Sequence, residues 1–315
     1  MNPDGSNKKQ LTKSGNISAI FGWSPDNSKI AVLTSDQESG YMLSVIDPKD
    51  GEIKKIKESE CITNKYSWIS NEEILNIQSA CADTTPAKVE KISVAGKSEV
   101  LLTFPKDIPE IARTFDLGSS GLAFSDNLEW MAFDKKPCCE GTNFPSEVYS
   151  YNLKNKTQKK LTSNGENILE DINQGKIIFT HKGTEVWEIN PDGTSLKKLF
   201  EDKDLVDYQT PNVNVTLSLR SSQNNSKFLY NKFVGWDEYY LRDQLTGKKK
   251  MVVKQEFNDS PYDVYLSPDS SFMVYTQRFG HDETKDPVVC WTKFLESEKV
   301  IQTTDEKCFY PRISN

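Results

Sequence analysis

The sequence has few histidines and no long apolar segment. Its 315 residues include only His181 and His281 as histidines, and no Gly-x-Ser-x-Gly pattern marks the nucleophile of a Ser-His-Asp hydrolase. No run of eighteen apolar residues occurs, so we expect no membrane-spanning helix. The formal net charge of −7 disfavours nucleic acid as a partner. The composition therefore predicts neither a catalytic residue set of the hydrolase type nor a membrane or nucleic-acid protein.

A sustained helical period is also missing, and a short turn phrase recurs instead. It first occurs as WSPDNSKIAVLT, beginning at Trp23. Pro25 fixes φ for the second position of a turn, and Asp26 and Asn27 are short polar residues that hydrogen-bond to nearby backbone. The residues from Ile30 onward are apolar on both sides of a period-two alternation, which is typical of a strand buried on two faces. The phrase predicts a hairpin.

The turn phrase returns at steps of 45 to 55 residues. Its seven copies begin at Ser24, Ser70, Ser125, Asn173, Ser222, Ser267 and Ser314. Each step also contains a second hairpin, often around Asp-Gly or Thr-Gly, so each repeat holds four strands, here A, B, C and D. Four strands cannot bury both faces unless neighbouring repeats stack. We therefore predict an all-β protein, a β-propeller of four-stranded antiparallel blades, with less than about 5% helix.

The chain begins and ends inside a repeat. Residues 1–12 match a C–D turn with its strand D, and residues 309–315 match a strand A. Six complete blades lie between them, from Ile17 to Thr304, within a single propeller domain over residues 1–315. We expect the terminal strands to form part of a seventh blade. Two alternatives stay open: unpaired pieces beside a six-bladed ring, or a chain cut from a longer protein.

Four segments carry a resemblance to a known family. WSPDNSKIAVLTS, NPDGSNKKQLT, NPDGTSLKKLF and YLSPDSSFMVYTQ resemble the WD40-like PD40 repeat of TolB-type propellers. We expect a monomer that uses no cofactor or metal. The resemblance implies an exported propeller, periplasmic or extracellular. It also implies a non-enzymatic role in binding or scaffolding a protein or peptide.

Two other functions remain open beside that one. The first is an accessory propeller of a prolyl-oligopeptidase-like serine peptidase that lacks its catalytic domain. The second is a carbohydrate-active or metal-dependent propeller enzyme. The second would need histidines or carboxylates that converge on one point, and the two histidines lie about two repeats apart.

All six cysteines are predicted on one side of the blades, the side that carries the B–C connection and the link to the next blade. We call it the B–C side. The expected disulfides are Cys61–Cys81 and Cys290–Cys308, each within one blade. Cys138 and Cys139 stay unassigned between a vicinal disulfide, two free thiols and a metal pair. Disulfides would indicate an oxidising compartment, whereas reduced structural thiols or a metal or redox site are the alternatives.

The candidate binding residues lie on the same side. Phe144, Trp236, Arg278, Phe279 and His281 would form an aromatic and charged surface for a partner, or else be separate loop residues with no shared role.

The remaining candidates have structural interpretations. His281 could join a weak metal site with Asp282 and Glu283, although a solvated loop histidine is the simpler interpretation. His181 is interpreted as an ordinary surface residue. Aromatic residues before the A–B turn are expected to pack between blades: Trp23, Trp68 and Phe124. The lysines of the C–D hairpins are expected to protect outer strand edges.

Overall fold

The computed structural model describes most of the strands and their short turns. The described residues are 4, 6, 7, 9–12, 16–36, 40–59, 65–78, 87–104, 122–135, 146–202, 220–221, 226–233, 237–254, 261–267, 269–278 and 288–302. They form two compact units, mainly residues 6–119 and mainly residues 120–311.

The first unit contains two four-stranded sheets, which are blades 1 and 2. Blade 1 consists of β1 (Asn16–Trp23), β2 (Ile30–Asp36), β3 (Gly40–Ile46) and β4 (Ile53–Ser59). Blade 2 consists of β5 (Lys65–Trp68), β6 (Glu73–Gln78), β7 (Lys88–Ser93) and β8 (Ser98–Thr103).

The second unit contains the other four sheets, which are blades 3 to 6. Blade 3 has β9 (Leu122–Phe124), β10 (Trp130–Lys135), β11 (Glu147–Asn152) and β12 (Thr157–Lys160). Blade 4 has β13 (Asn167–Asn173), β14 (Lys176–His181), β15 (Glu185–Ile189) and β16 (Lys197–Glu201). Blade 5 has β17 (Arg220–Ser221), β18 (Lys227–Phe233), β19 (Asp237–Asp243) and β20 (Lys249–Lys254). Blade 6 has β21 (Pro261–Leu266), β22 (Phe272–Arg278), β23 (Val288–Phe294) and β24 (Val300–Gln302).

These sheets confirm the predicted fold class. In each sheet the four strands pair antiparallel with their sequence neighbours, in the order A, B, C, D. The described residues contain no helix, and so none that is long and apolar enough to cross a membrane. The C-terminal strand expected at residues 309–315 lies outside the described part of the chain.

The recurring Ser-Pro-Asp phrase folds through its own side chains. The carboxylate of Asp26 accepts hydrogen bonds from Ser24 Oγ at 2.7 Å and from the backbone N–H of Ser28 at 3.0 Å. Ser24 Oγ in turn accepts from the N–H of Lys29 at 3.0 Å, and Asn27 adopts a left-handed φ of 58°. The hydrogen bond from Ser24 is the main cause that lowers the pKa of Asp26 to about 2. The phrase closes the A–B turn through hydrogen bonds among residues 24–29, so the same turn can form wherever the phrase recurs.

Apolar residues from neighbouring blades form the core. Between blades 1 and 2, Leu43 and Val45 pack with Ile74 and Ile92 in one buried cluster. Trp68 also packs against this cluster, and its Nε1 donates to the carbonyl oxygen of Gly22 at 3.0 Å. This contact joins β5 to β1 and confirms the predicted position of Trp68 between blades.

Polar contacts also join successive blades. Ser150 Oγ donates to the carbonyl oxygen of Pro191 at 2.6 Å, from blade 3 to blade 4. Gln244 Nε2 donates to the carbonyl oxygen of Leu199 at 2.9 Å, from blade 5 to blade 4. Lysines of the outer strands, as predicted, lie on sheet edges, and several pair with carboxylates: Lys160 with Glu147, Lys197 with Glu188, Lys198 with Glu185 and Glu201, Lys250 with Glu298. These pairs favour an edge role for the lysines over a phosphate-binding one.

The N-terminal segment 9–12 packs on blade 1. Lys9 Nζ donates to the carbonyl oxygens of Pro48 and Lys49, at 3.0 and 2.5 Å, in the turn between β3 and β4. Leu11 packs on a cluster that includes the buried Ile30 and Ile46. Lys159, at the end of blade 3, bonds in the same way to the carbonyl oxygen of Asp192 in the β15–β16 turn. The segment therefore packs on the β3–β4 turn of blade 1 in the same way as the outer strand of blade 3 packs on the β15–β16 turn of blade 4.

Deleting residues 1–12 is expected to lower the melting temperature by about 3–6 °C, because Leu11 would no longer cover the apolar face of blade 1. Differential scanning calorimetry of the full chain and the truncated chain measures the shift. Deleting only residues 1–8 is the control and should retain most of the stability. Equal melting temperatures for the full chain and the longer deletion would show that the segment does not stabilise blade 1.

Candidate functional site

The predicted binding surface and most cysteines lie outside the described residues. Four of the predicted binding residues are outside the described residues: Phe144, Trp236, Phe279 and His281. The backbone of Arg278 is described as the end of β22, but its side chain is not. Five cysteines are also outside the described residues: Cys61, Cys81, Cys138, Cys139 and Cys308. Cys290, in β23, is buried with 4% of its surface exposed and is not a free thiol. Its pairing with Cys308, like the predicted binding surface, stays a prediction.

A polar row crosses blade 4 on its B–C side. Asn167 at the start of β13 pairs with His181 at the end of β14, and His181 pairs with Glu185 at the start of β15. Directly paired residues of an antiparallel sheet project from the same face. Two positions further along, Leu169 and Phe179 pack with residues of blade 3. The row therefore lies on the face of blade 4 that is turned to blade 3. We call the side chains of Glu147, Thr162, Asn167, His181 and Glu185 the His181 rim.

Two tight turns place the members of the rim. Residues 182–184 connect β14 to β15. Lys182 and Gly183 have φ values of 52° and 65°, and the N–H of Thr184 donates to the carbonyl oxygen of His181 at 3.2 Å. Positive φ at both central residues of a four-residue turn is typical of type I′ geometry, which matches the twist of the strands. Gly165 and Glu166, also at positive φ, lead the chain into Asn167.

Asn167 determines which nitrogen of His181 carries hydrogen. Its side chain is 2% exposed, and Nδ2 donates to the carbonyl oxygen of Gly165 at 2.9 Å and to Glu147 Oε2 at 3.1 Å. Oδ1 therefore faces His181 Nδ1, at 3.0 Å. Because an amide oxygen only accepts, Nδ1 must donate, and the lone pair of the neutral imidazole lies on Nε2. Nδ1 is the ring nitrogen that bonds to Asn167.

Glu147 anchors Asn167 from blade 3. Its carboxylate accepts from Thr162 Oγ1 at 2.5 Å and from the N–H of Gly165 at 3.1 Å, and Lys160 Nζ lies 3.4 Å away. Burial alone would raise the pKa of Glu147, but these hydrogen bonds and the Lys160 charge outweigh it and lower the pKa. The carboxylate is therefore ionised at neutral pH and holds the amide of Asn167 in one orientation.

Replacing Thr162 by valine is expected to raise the pKa of Glu147 toward its ordinary value, because the hydroxyl donor is lost. The stability that the lowered pKa gives is present above that ordinary value and is lost as pH falls through the folded pKa. Thr162→Val should therefore reduce the stability difference between pH 7 and pH 3. Carbon-13 NMR titration of the glutamate carboxyls measures the pKa, with Ser163→Ala as the control. An unmoved Glu147 pKa in Thr162→Val would contradict the assigned hydrogen bond.

Glu185 brings charge to the other end of the row. It accepts from Lys198 Nζ at 2.6 Å and from Trp187 Nε1 at 3.0 Å, and the hydrogen bond from Lys198 is the main cause that lowers its pKa. Lys198 Nζ also lies 2.7 Å from Glu201 and 5.9 Å from the centre of the Trp187 ring. Two carboxylates thus share one ammonium group, which leaves one net negative charge beside His181.

The rim can bind through fixed hydrogen-bonding groups. It presents one oriented acceptor nitrogen and ionised carboxylates. Among the described residues, no group of three or more His, Cys, Asp or Glu side chains is placed to hold a metal ion.

The sequence did not bring these residues together. It predicted His181 as an ordinary surface residue, and the structure adds its hydrogen bond to Asn167. A signal existed in the recurrence of Leu-Thr, Gly and Asn at residues 11–16 and 161–167, each ahead of a strand A.

No protein-family model matches the sequence, and no curated protein matches it either. Solved structures do match. TolB from Acinetobacter baumannii is 16% identical, with 92% of this chain and 67% of TolB covered and a TM-score of 0.53. Oligogalacturonate lyase from Vibrio parahaemolyticus is 10% identical, with 93% and 80% covered and a TM-score of 0.61. The β-propeller domain of the Trilobed protease from Pyrococcus furiosus is 14% identical, with 90% and 80% covered and a TM-score of 0.54.

These neighbours include a lyase and a protease domain, so at these identities the likeness shows the fold and not the activity. The sheet order and these neighbours together identify the chain as a six-bladed, all-β propeller that resembles TolB.

Proposed function

We propose that the protein is a non-enzymatic propeller that binds a protein or peptide partner on its B–C side, in the periplasm or outside the cell. The observation that carries the proposal is that Asn167, held by Glu147, accepts from Nδ1 of His181 and so leaves Nε2 as the acceptor of the neutral ring. The resemblance to TolB supports a binding role. Rigid blades that hold connections on one side are suited to recognition.

The electrostatics of the rim favour binding over proton transfer. A general acid or base works best when its pKa lies near the working pH. Glu147 and Glu185 both have a lowered pKa, so they stay ionised at neutral pH. Their hydrogen-bond donors hold them in place, which suits a preformed recognition surface.

The two alternatives, a carbohydrate-active enzyme and an accessory propeller of a peptidase, also need a test, because the neighbours include a lyase and a protease propeller. The purified protein should be assayed with oligogalacturonides in the presence of Mn²⁺ and with a library of short peptides. The proposal predicts no turnover above a buffer control. Turnover of oligogalacturonides that His181→Gln abolishes would replace the proposal with a lyase function. Binding and crosslinking to a separate peptidase chain would support the accessory-propeller alternative.

The redox state of the cysteines tests whether the protein is exported. Mass spectrometry of protein alkylated without reduction, purified from its native cell, is expected to show Cys61–Cys81 and Cys290–Cys308 disulfides. Such bonds persist in oxidising compartments and are rare in the cytosol. Reduced and then alkylated protein is the control and should show six modified cysteines. Six modified cysteines without reduction would remove the argument for export.

A further inference from the structure

We propose that the His181 rim binds a basic group, such as a lysine or arginine side chain or the N-terminal amine of a peptide. The inference rests on the proposed binding function and names the chemistry of its ligand. Nε2 of His181 would accept a hydrogen bond from the N–H of that group, and the carboxylates beside it would attract the positive charge.

The hydrogen bond to Asn167 determines the tautomer of neutral His181. Nδ1 donates to Asn167 Oδ1 because the two hydrogens of the Asn167 amide are directed to Gly165 and Glu147. In its neutral form the imidazole therefore offers a lone pair at Nε2, which accepts a hydrogen bond from a donor. Reversing the amide would set Oδ1 against two acceptors, the carbonyl oxygen of Gly165 and the carboxylate of Glu147.

Charged side chains lie near the imidazole of His181. Glu147 is paired with Lys160, whose Nζ lies 3.4 Å from the carboxylate. Beside the row, Glu185 with Glu201 and Lys198 carries one net negative charge. The net charge of the whole chain is also negative, at −7. The field at Nε2 therefore favours a cation over an anion.

Fluorescence anisotropy with labelled hexapeptides tests the inference on the full chain. Hexalysine is expected to bind at least about tenfold more tightly than a hexapeptide of glycine and serine, and hexaglutamate more weakly than either. His181→Leu and Glu185→Gln should each weaken hexalysine binding at least about fivefold. Glu296→Gln is the matched control, since it removes the same charge from an exposed turn of blade 6. That variant should bind as the unmodified protein does.

Nitrogen-15 NMR of His181 gives a second measurement that does not depend on a variant folding. Adding hexalysine is expected to shift the Nε2 resonance while Nδ1 stays protonated. The inference is overturned if Nε2 does not shift, if Glu296→Gln weakens binding as much as Glu185→Gln, or if hexaglutamate binds best. A protein partner that crosslinks at the rim without preference for basic peptides would refute this inference and leave the proposed function standing.

Discussion

Replacing Phe200 by alanine is expected to lower the free energy of unfolding of the second unit by about 3–5 kcal/mol. Phe200 lies in β16 with 5% of its surface exposed and packs between blades 4 and 5. Its ring centre is 5.4 Å from that of Phe228 and 5.9 Å from that of Tyr230, and the Arg242 guanidinium lies 4.7 Å from it. Alanine would leave a cavity that these rings cannot close.

Guanidinium chloride unfolding, followed by circular dichroism, measures the loss. Leu245→Ala is the control, since Leu245 is 93% exposed and its truncation should change stability by less than about 0.5 kcal/mol. A loss in Phe200→Ala no larger than in the control would contradict the assigned packing between blades 4 and 5.

The second large effect is expected at Glu90, a buried carboxylate in β7 with 1% of its surface exposed. It accepts from Asn76 Nδ2 at 2.8 Å within blade 2 and from Lys57 Nζ at 2.7 Å in β4 of blade 1. Glu90→Ala would leave both donors without this acceptor. We expect a loss of about 3 kcal/mol, at the lower end for a broken buried pair, because Lys57 remains partly in water.

Glu90→Gln separates the charge from the hydrogen bond. It keeps an oxygen acceptor for Asn76 and should lose less stability than Glu90→Ala in the same unfolding experiment. Glu99→Ala is the surface control, since the Glu99 side chain is 66% exposed in its pair with Lys91. If Glu90→Ala were no more destabilising than Glu99→Ala, the Lys57–Glu90 contact would not join the two blades.

The blades could be predicted from the sequence because their signals are local. The turn at Ser24-Pro25-Asp26 closes through side chains within five residues of each other, so its recurrence located the A–B hairpins. The Asp-Gly turns located the C–D hairpins for the same reason. Alternation after Ile30 indicated a strand buried on both faces, and Val32 and Leu33 are indeed buried.

The contacts between blades could not be predicted in the same way. Glu90 and Lys57 are 33 residues apart, and Glu147 and Asn167 are 20 residues apart. Their meeting depends on how one sheet packs on the next, which no local pattern encodes. The environment of His181 could not be predicted for this reason, because it comes from Asn167 on a neighbouring strand and Glu147 on another blade.

Site-specific photocrosslinking in the native cell tests the binding role most directly. A photoreactive residue is placed at Lys182, in the β14–β15 turn beside the rim, or at Leu196, in the β15–β16 turn at the other end of the same sheet. The account predicts one discrete protein adduct from position 182, lost in the additional variant His181→Leu, and none from position 196. No adduct from position 182, or the same adduct from both positions, would contradict binding on the B–C side.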